Sequence, residues 1–178
     1  MILKVLMLLV CLQLVDSCRL RCREREKCDD GWTYYKRNTT GWCMKVFVGS
    51  LNMTQAKAVC NGVGAVMSSI DDSTMANFTR NLTNSMSSSM TWLGAELKSE
   101  CQCGDYACPG TNDCGPNGYY WTDGFTTSND YITSNLIPAT VQYYWIPLEG
   151  AILIKSGMTA YGSDDIADSV ICGKQSVN

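Results

Sequence analysis

The sequence predicts an α+β domain, stapled by disulfides and exported from the cell. Three observations carry this reading. Two helix-patterned segments come first and a series of strand-like runs after them, without the β-α alternation of a doubly wound sheet. The first 17 residues read as a cleaved leader. Eleven cysteines, less Cys11 inside that leader, leave ten, an even number in the remaining 161 of 178 residues.

The leader is MILKVLMLLVCLQLVDS, residues 1–17. A single early charge, Lys4, precedes an apolar run from Val5 to Leu12, and Val15 and Ser17 suit the small-residue positions of a signal-peptidase site. The run is far short of the roughly 20 residues needed to span a bilayer, and no later stretch is long enough either. Residues 18–27 form a basic stalk: CRLRCREREKC, through Cys28, holds five Lys/Arg against two Glu. A solvated stalk is the plain reading, and a patch for anionic glycans or lipid headgroups is the functional one. Cys18 and Cys22 either close a local ring or link two chains.

Residues 28–178 make one domain. GWTYYKRNTTGWCMKVF alternates aromatics with turn residues, as two short strands do. LNMTQAKAVCNGVGAV then sets Met53, Ala56 and Cys60 on one helical face before Gly62 and Gly64. Asp71, Asp72 and Ser73 offer N-caps to a second helix that buries Met75, Phe78 and Leu82. Past NSMSSSM come the strand-like runs TWLGA, YYWTDG, VQYYWIPL, AILIK and SVICGK, with Glu149-Gly150 as a tight turn. Four glycosylation sequons begin at Asn38, Asn52, Asn77 and Asn81. Asn77 and Asn81 lie about a third of a turn from the apolar stripe of the second helix, so glycans there point to solvent.

Composition removes whole classes of function. There is no histidine, which excludes Ser-His-Asp and Cys-His hydrolases, zincins and imidazole bases. Nothing in the carboxylate spacing suggests a two-carboxylate glycosidase. The chain reads as a binding protein rather than an enzyme. A net charge of −3 argues against nucleic acid as partner.

The insert at 96–118 contains CQCGDYACPGTNDCG. Its C-x-C-x4-C-x5-C spacing lacks the C-x2-C knuckles of structural zinc, and no histidine completes a mixed site. Disulfides remain. Cys101 and Cys103 are too close to bridge each other without strain, so each reaches Cys108 or Cys114, leaving two connectivities.

The order of motifs resembles a specific family. Cys28-x-x-Gly31-Trp32, Cys43, a helix ending at Cys60, and Gly64-Ala65 through Ile70 resemble the first half of a C-type lectin-like domain. Trp92-Leu93-Gly94-Ala95 is similar to that family's Trp-Ile-Gly-Leu strand. Tyr120-Trp121-Thr122-Asp123-Gly124 is similar to its Trp-x-Asp-Gly turn, and Val170-Ile171-Cys172-Gly173 to its closing strand. The resemblance spans residues 28–174, and the Cys-containing insert and the Cys172-Gly173-Lys174 ending are similar to secreted invertebrate, especially nematode-type, members. It implies two helices packed on small antiparallel sheets with a long irregular loop region, and disulfides Cys28–Cys43 and Cys60–Cys172.

The departures are as informative. The family's inner disulfide is missing, and the best-matching positions hold Ala151 and Ala167. Calcium-dependent members hold the ion through Glu-Pro-Asn or Gln-Pro-Asp and a later Trp-Asn-Asp. Here the two proline windows read Ile137-Pro138-Ala139 and Ile146-Pro147-Leu148, and only Ser163-Asp164-Asp165 resembles the later motif. Calcium needs about six to eight oxygens. Asp164 and Asp165, with Glu149 as a third carboxylate, supply too few, and only a loop freed from its inner disulfide would bring Asp123 or Asp130 into range. No metal and no other cofactor is expected.

The resemblance therefore implies a secreted recognition module for a glycan, glycoprotein or microbial surface, with a place in innate immunity and without the usual calcium-dependent sugar site. Tyr131, Tyr143, Tyr144 and Trp145 are the aromatics expected to stack on sugar rings or anchor a protein, beside Asp164 and Asp165. The alternative is a structural or protein-interaction domain with no carbohydrate affinity, with Cys18 or Cys22 available to link it into an oligomer.

Overall fold

Strand β1 (Thr33–Lys36) and strand β2 (Gly41–Leu51) form the expected hairpin, with Tyr34 opposite Cys43. The computed structural model describes residues 28–38, 40–101, 116–137, 150–154 and 157–177. The leader, the stalk with Cys18 and Cys22, most of the insert with Cys103, Cys108 and Cys114, and the aromatics Tyr143, Tyr144 and Trp145 lie outside these residues.

Helix α1 (Met53–Gly62) follows directly. Asn52 caps it: the side chain accepts from the Gln55 amide at 2.9 Å, and Gln55 reaches back to the Asn52 amide at 3.0 Å. An Asn-linked glycan attaches through Nδ2, so the sequon at Asn52 is compatible with this cap. Met53, Ala56 and Cys60 are buried, as the helical spacing predicts. Strand β3 (Val66–Met67) leads to helix α2 (Ser73–Ser85), capped by Asp72 at 2.8 Å from the Met75 amide.

The buried face of α2 is Met75, Ala76, Thr79 and Thr83 rather than Met75, Phe78 and Leu82. Phe78 and Leu82 are half-buried at the margin, packed against the core, and the Phe78 ring lies 5.0 Å from that of Tyr35. Small side chains under the helix let its backbone lie close to the core, which moves the larger residues to its flank. Asn77 and Asn81 are exposed, as is Asn38 in the hairpin turn.

The remaining strands are β4 (Met90–Leu97), β5 (Tyr119–Trp121), β6 (Leu136–Ile137), β7 (Gly150–Ile154), β8 (Gly157–Tyr161) and β9 (Ala167–Gln175). They join one sheet in the order β1-β2-β9-β4-β7-β8-β6, with β3 on β9 and β5 on β4. Most pairs are antiparallel, but β4–β9 and β6–β8 are parallel, so the sheet is mixed. A short third helix, α3 (Asp130–Asn135), leads into β6.

Two hydrophobic clusters cover the two faces of this sheet. Leu93, Ala151, Leu153 and Ile171 join Trp42 and the α2 residues Met75 and Ala76. Their sequence neighbours Trp92, Ile152, Val170 and Cys172 join the α1 residues Met53, Ala56 and Cys60. Side chains alternate across a strand, so apolar runs such as AILI and SVIC are what a sheet covered on both faces requires.

Disulfides Cys28–Cys43 and Cys60–Cys172 are both present, with Cα–Cα distances of 5.5 and 5.3 Å. Cys101 is disulfide-bonded too. The two alanines matched to the missing inner bridge do not face each other. Trp92 stands level with Ile152 on one side and Val170 on the other. Because β7 runs against β4 and β9 runs with it, Ala151 and Ala167 fall on opposite sides of that level, with β4 between them. They also belong to different core clusters.

Candidate functional site

The expected binding end is reached by topology. Strands β6 and β8 are parallel with Ile137 level with Thr159, so the chain leaves β6 in the direction that carries β8 into Ser163-Asp164-Asp165. Strand β7 begins at Gly150, opposite Tyr161. The flanks of the segment bearing Tyr143, Tyr144 and Trp145 are therefore both at the end of the sheet that holds the acidic turn.

That turn is capped by its own carboxylate. The Gly162 amide donates to Asp165 Oδ2 at 2.8 Å, and the Asp165 amide donates to the Gly162 carbonyl at 3.1 Å. The Ser163 carbonyl accepts from the Met53 amide at 3.1 Å, tying the turn to the first residue of α1. Asp164 and Asp165 are exposed. Tyr131 is half-buried on α3 and packs against the core. Among the described residues no group of three or more Cys, Asp or Glu side chains could hold a metal ion.

Asp123 is not a carboxylate that the long loop can lend to an ion. It lies 3% exposed in the Trp-x-Asp-Gly turn and receives Arg37 Nη1 at 2.9 Å. Its other oxygen accepts the amides of Phe125 and Thr126 at 3.0 and 2.9 Å, and Ser69 donates its hydroxyl to Oδ2. Burial by itself pushes the Asp123 carboxyl up, but these hydrogen bonds and the Arg37 charge outweigh it and hold the group below the ordinary carboxylate range.

Arg37 is the residue that sequence reasoning missed. Its guanidinium stacks 3.9 Å from the Trp42 ring centroid, donates to Ser69 Oγ at 2.9 Å and lies 3.5 Å from Asp71 Oδ2. Thr126 closes the ring by donating to Asp71 Oδ1 at 2.7 Å. Three segments far apart in sequence are thereby locked: the β1–β2 turn, the approach to α2, and the Trp-x-Asp-Gly turn. No local pattern around Arg37 signals this, because every partner except Trp42 is remote. Arg37 Nε makes no hydrogen bond but sits within ion-pair reach of Asp71, and both of the arginine's terminal nitrogens are engaged inside the cluster, so the cluster holds structure rather than a ligand.

A second carboxylate with a structural task is Asp168 on β9. It accepts Ser88 Oγ at 2.7 Å, the Met90 amide at 2.9 Å, the Ser89 amide at 3.0 Å and Ser89 Oγ at 2.8 Å. Burial pushes this group up as well, and again the hydrogen bonds win and lower it.

The Trp92–Ala95 strand, the Trp-x-Asp-Gly turn, the α1-to-β9 disulfide and the mixed sheet now stand together, and residues 32–145 match the family model described as C-type lectin domain-containing protein 141/158. The chain belongs to that C-type lectin domain family. No curated protein matches it in sequence. Solved structures share the fold. The carbohydrate-recognition domain of cow CD23, determined in the presence of a GlcNAc2Man3 oligosaccharide, is 17% identical at a TM-score of 0.60, covering 85% of this chain and 98% of that one. Herring type II antifreeze protein is 20% identical at 0.59, covering 83% and 98%. The Ca2+-independent C-type lectin SPL-2 of Saxidomus purpuratus is 17% identical at 0.56, covering 83% and 93%. At these identities the likeness shows the C-type lectin-like fold and nothing finer.

Proposed function

We propose that this C-type lectin domain is a secreted recognition module that binds a glycan or glycoprotein, microbial surfaces included, without calcium. It acts by binding and not by catalysis, in keeping with a fold family of binding domains. Residues 1–17 direct its export, and Asn38, Asn52, Asn77 and Asn81 are the positions for glycans of its own. The binding surface is the end of the sheet where β6, β7 and β8 carry the segment bearing Tyr143, Tyr144 and Trp145 and the turn bearing Asp164 and Asp165, with Tyr131 on α3 ahead of β6.

The observation that supports calcium independence is the use made of Asp165. One of its oxygens caps the Gly162 amide, and beyond its neighbour Asp164 the next carboxylate toward the N-terminus among the described residues, Asp130, precedes β6. Among the described residues at this end, a hard cation needing about six oxygens finds too few side-chain donors. The Ca2+-independent lectin among the structural neighbours shows that the fold accommodates such behaviour in that protein.

A glycan array probed with and without EDTA tests the proposal. Glycan binding that is unchanged by EDTA is expected, together with a melting temperature that does not move when millimolar calcium is added. An occupied micromolar calcium site would instead contribute about 4 kcal/mol at millimolar calcium, a shift of several degrees. Loss of binding in EDTA overturns the calcium-free reading. An empty array leaves a protein-interaction domain, and mobility on a non-reducing gel then shows whether Cys18 or Cys22 links chains.

A further inference from the structure

A cleft of about 410 Å³ opens at the opposite end of the sheet from the acidic turn, within the roughly 300–1,000 Å³ of small-molecule sites. Arg80, Thr83 and Asn84 line it from the last turns of α2, Ser89 from the connection to β4, and Leu153 and Ile154 from the end of β7. Strand register fixes its place. Ile154 pairs with Met90 and with Gly157, whereas the acidic turn follows Tyr161, which pairs with Gly150 at the other end of β7.

The polar groups of the cleft are arranged for an anion with hydroxyls. Arg80 Nε is buried without a hydrogen-bond partner, and Nη1 makes one long contact, 3.3 Å to Asn77 Oδ1. No carboxylate among the described residues forms an ion pair with Arg80. The exposed Nη edge of the guanidinium thus presents a charge with no carboxylate partner among the described residues, and an oxyanion placed against that edge supplies the acceptor. The hydroxyls near it are already committed as donors: Thr83 to the Arg80 carbonyl at 3.0 Å and Ser89 to Asp168 at 2.8 Å. Their oxygens are left to accept hydrogen bonds from hydroxyls of a ligand. Asn84 adds an exposed amide able to do either. Leu153 and Ile154 supply an apolar wall. Asp168 stands behind the serines, its carboxylate occupied by four donors, and does not line the cleft.

We infer that this cleft binds an acidic sugar, a pyranose bearing a carboxylate or a sulfate. The oxyanion takes the fork of Arg80, ring hydroxyls donate to Thr83 and Ser89, and the C–H face of the ring lies on Leu153 and Ile154. Guanidinium matches carboxylate and sulfate through paired N–H donors, which a lysine at this position would not reproduce. The site is separate from the long-loop end, so its test does not depend on the function proposed above.

Calorimetric titration of the secreted full-length protein with glucuronate, glucose and glucose 6-sulfate decides it. Glucuronate or the sulfate should bind at least about tenfold more tightly than glucose, the lower end of what a charge-assisted hydrogen bond contributes. Whichever anion binds identifies the source of the oxyanion. Arg80→Gln should reduce the acidic sugar to the level of glucose, while Arg80→Lys, which keeps a charge and loses the fork, should fall between. Other glycans found on the array should bind both variants as before. Equal affinity for glucose and both acidic sugars in the natural protein, or acidic-sugar binding unchanged in Arg80→Gln, overturns the inference. Should Arg80→Gln fail to fold, competition by inorganic sulfate against glucuronate in the natural protein and in Arg80→Lys replaces it, and absence of competition in the natural protein counts against the site.

Discussion

Replacing Asp123 with Asn keeps the size of the side chain and one carbonyl oxygen for the amides of Phe125 and Thr126, but it turns an NH2 group toward Arg37 Nη1 and Ser69 Oγ. Arg37 and Asp123 are 5% and 3% exposed, so water cannot replace the lost acceptor. Arg37 would retain Ser69 at 2.9 Å through Nη2, Asp71 at 3.5 Å and the face of Trp42, none of which gives Nη1 back the charged acceptor it loses at 2.9 Å. Breaking a buried pair by removing one partner costs about 3–5 kcal/mol, a large share of the 5–15 kcal/mol typical of a domain. Denaturant unfolding at neutral pH should show a loss of that size. A cycle with Arg37→Met should return a coupling of about 1–3 kcal/mol, because the double variant no longer strands a buried charge. Acid adds an independent check. The folded-state pKa of Asp123 lies below its unfolded value near 3.9, so its contribution is complete above that value and lost as pH falls through the folded one. Stability curves of the natural protein and Asp123→Asn should therefore converge toward low pH. A loss below about 1 kcal/mol at neutral pH would refute the lock.

Removing Cys60–Cys172, whose halves are 112 residues apart, should cost more than removing Cys28–Cys43, 15 apart. Chain entropy gives about 4.7 and 3 kcal/mol for loops of these sizes, measurable by melting the two double-alanine variants. At Gly94 an added Cβ would sit 2.2 Å from the Met67 carbonyl oxygen, whereas at Gly62, the last residue of α1, it would meet nothing within 4 Å. Gly94→Ala should lose at least about 1–3 kcal/mol by overpacking, and Gly62→Ala should gain about 0.4–1 kcal/mol; matched melting curves would expose an error in the strand placement. Phe78→Ala should cost about 2 kcal/mol, less than the 3–5 of a fully buried phenylalanine because the ring is half-buried. Asn81→Ala on the exposed side of the same helix should change stability by less than about 0.5 kcal/mol.

The legible parts of the fold share a physical origin. Met53, Ala56 and Cys60 were readable as a buried face because a helix of ten residues repeats its spacing often enough to be seen. The hairpin was readable because Tyr34, Tyr35 and Trp42 flank an obvious turn. The buried face of α2 was not, because Thr79 and Thr83 lie under the helix while larger apolar residues stand at its edge. Strands β3 and β6, each two residues long, carry no period at all. Of the candidate site, Ser163-Asp164-Asp165 was readable as short of calcium ligands from its composition, while its cap on the Gly162 amide shows only in the fold. The cleft around Arg80 was invisible, since its walls come from α2, from the connection before β4 and from β7.

By itself the sequence determined the class of the protein: an α+β chain, its cysteines laid out for a C-type lectin-like domain, without histidine and without the family's usual calcium-binding motifs. Those conclusions rest on residue identity and order, which need no third dimension. Tertiary structure alone decided which polar residues are spent on the fold and which remain for a ligand. Asp123, Asp165 and Asp168 have the same side chain. Asp123 is locked beneath Arg37, Asp165 caps its own turn, and Asp168 gathers four donors at the base of β4. Arg37 and Arg80 diverge in the same way: each buries an Nε that makes no hydrogen bond, but Arg37 is ion-paired with Asp123 and Asp71 and donates to Ser69, whereas no carboxylate among the described residues pairs with Arg80. The reason is that hydrogen-bond satisfaction is a property of three-dimensional neighbours. Those neighbours here are separated by up to 89 residues of chain.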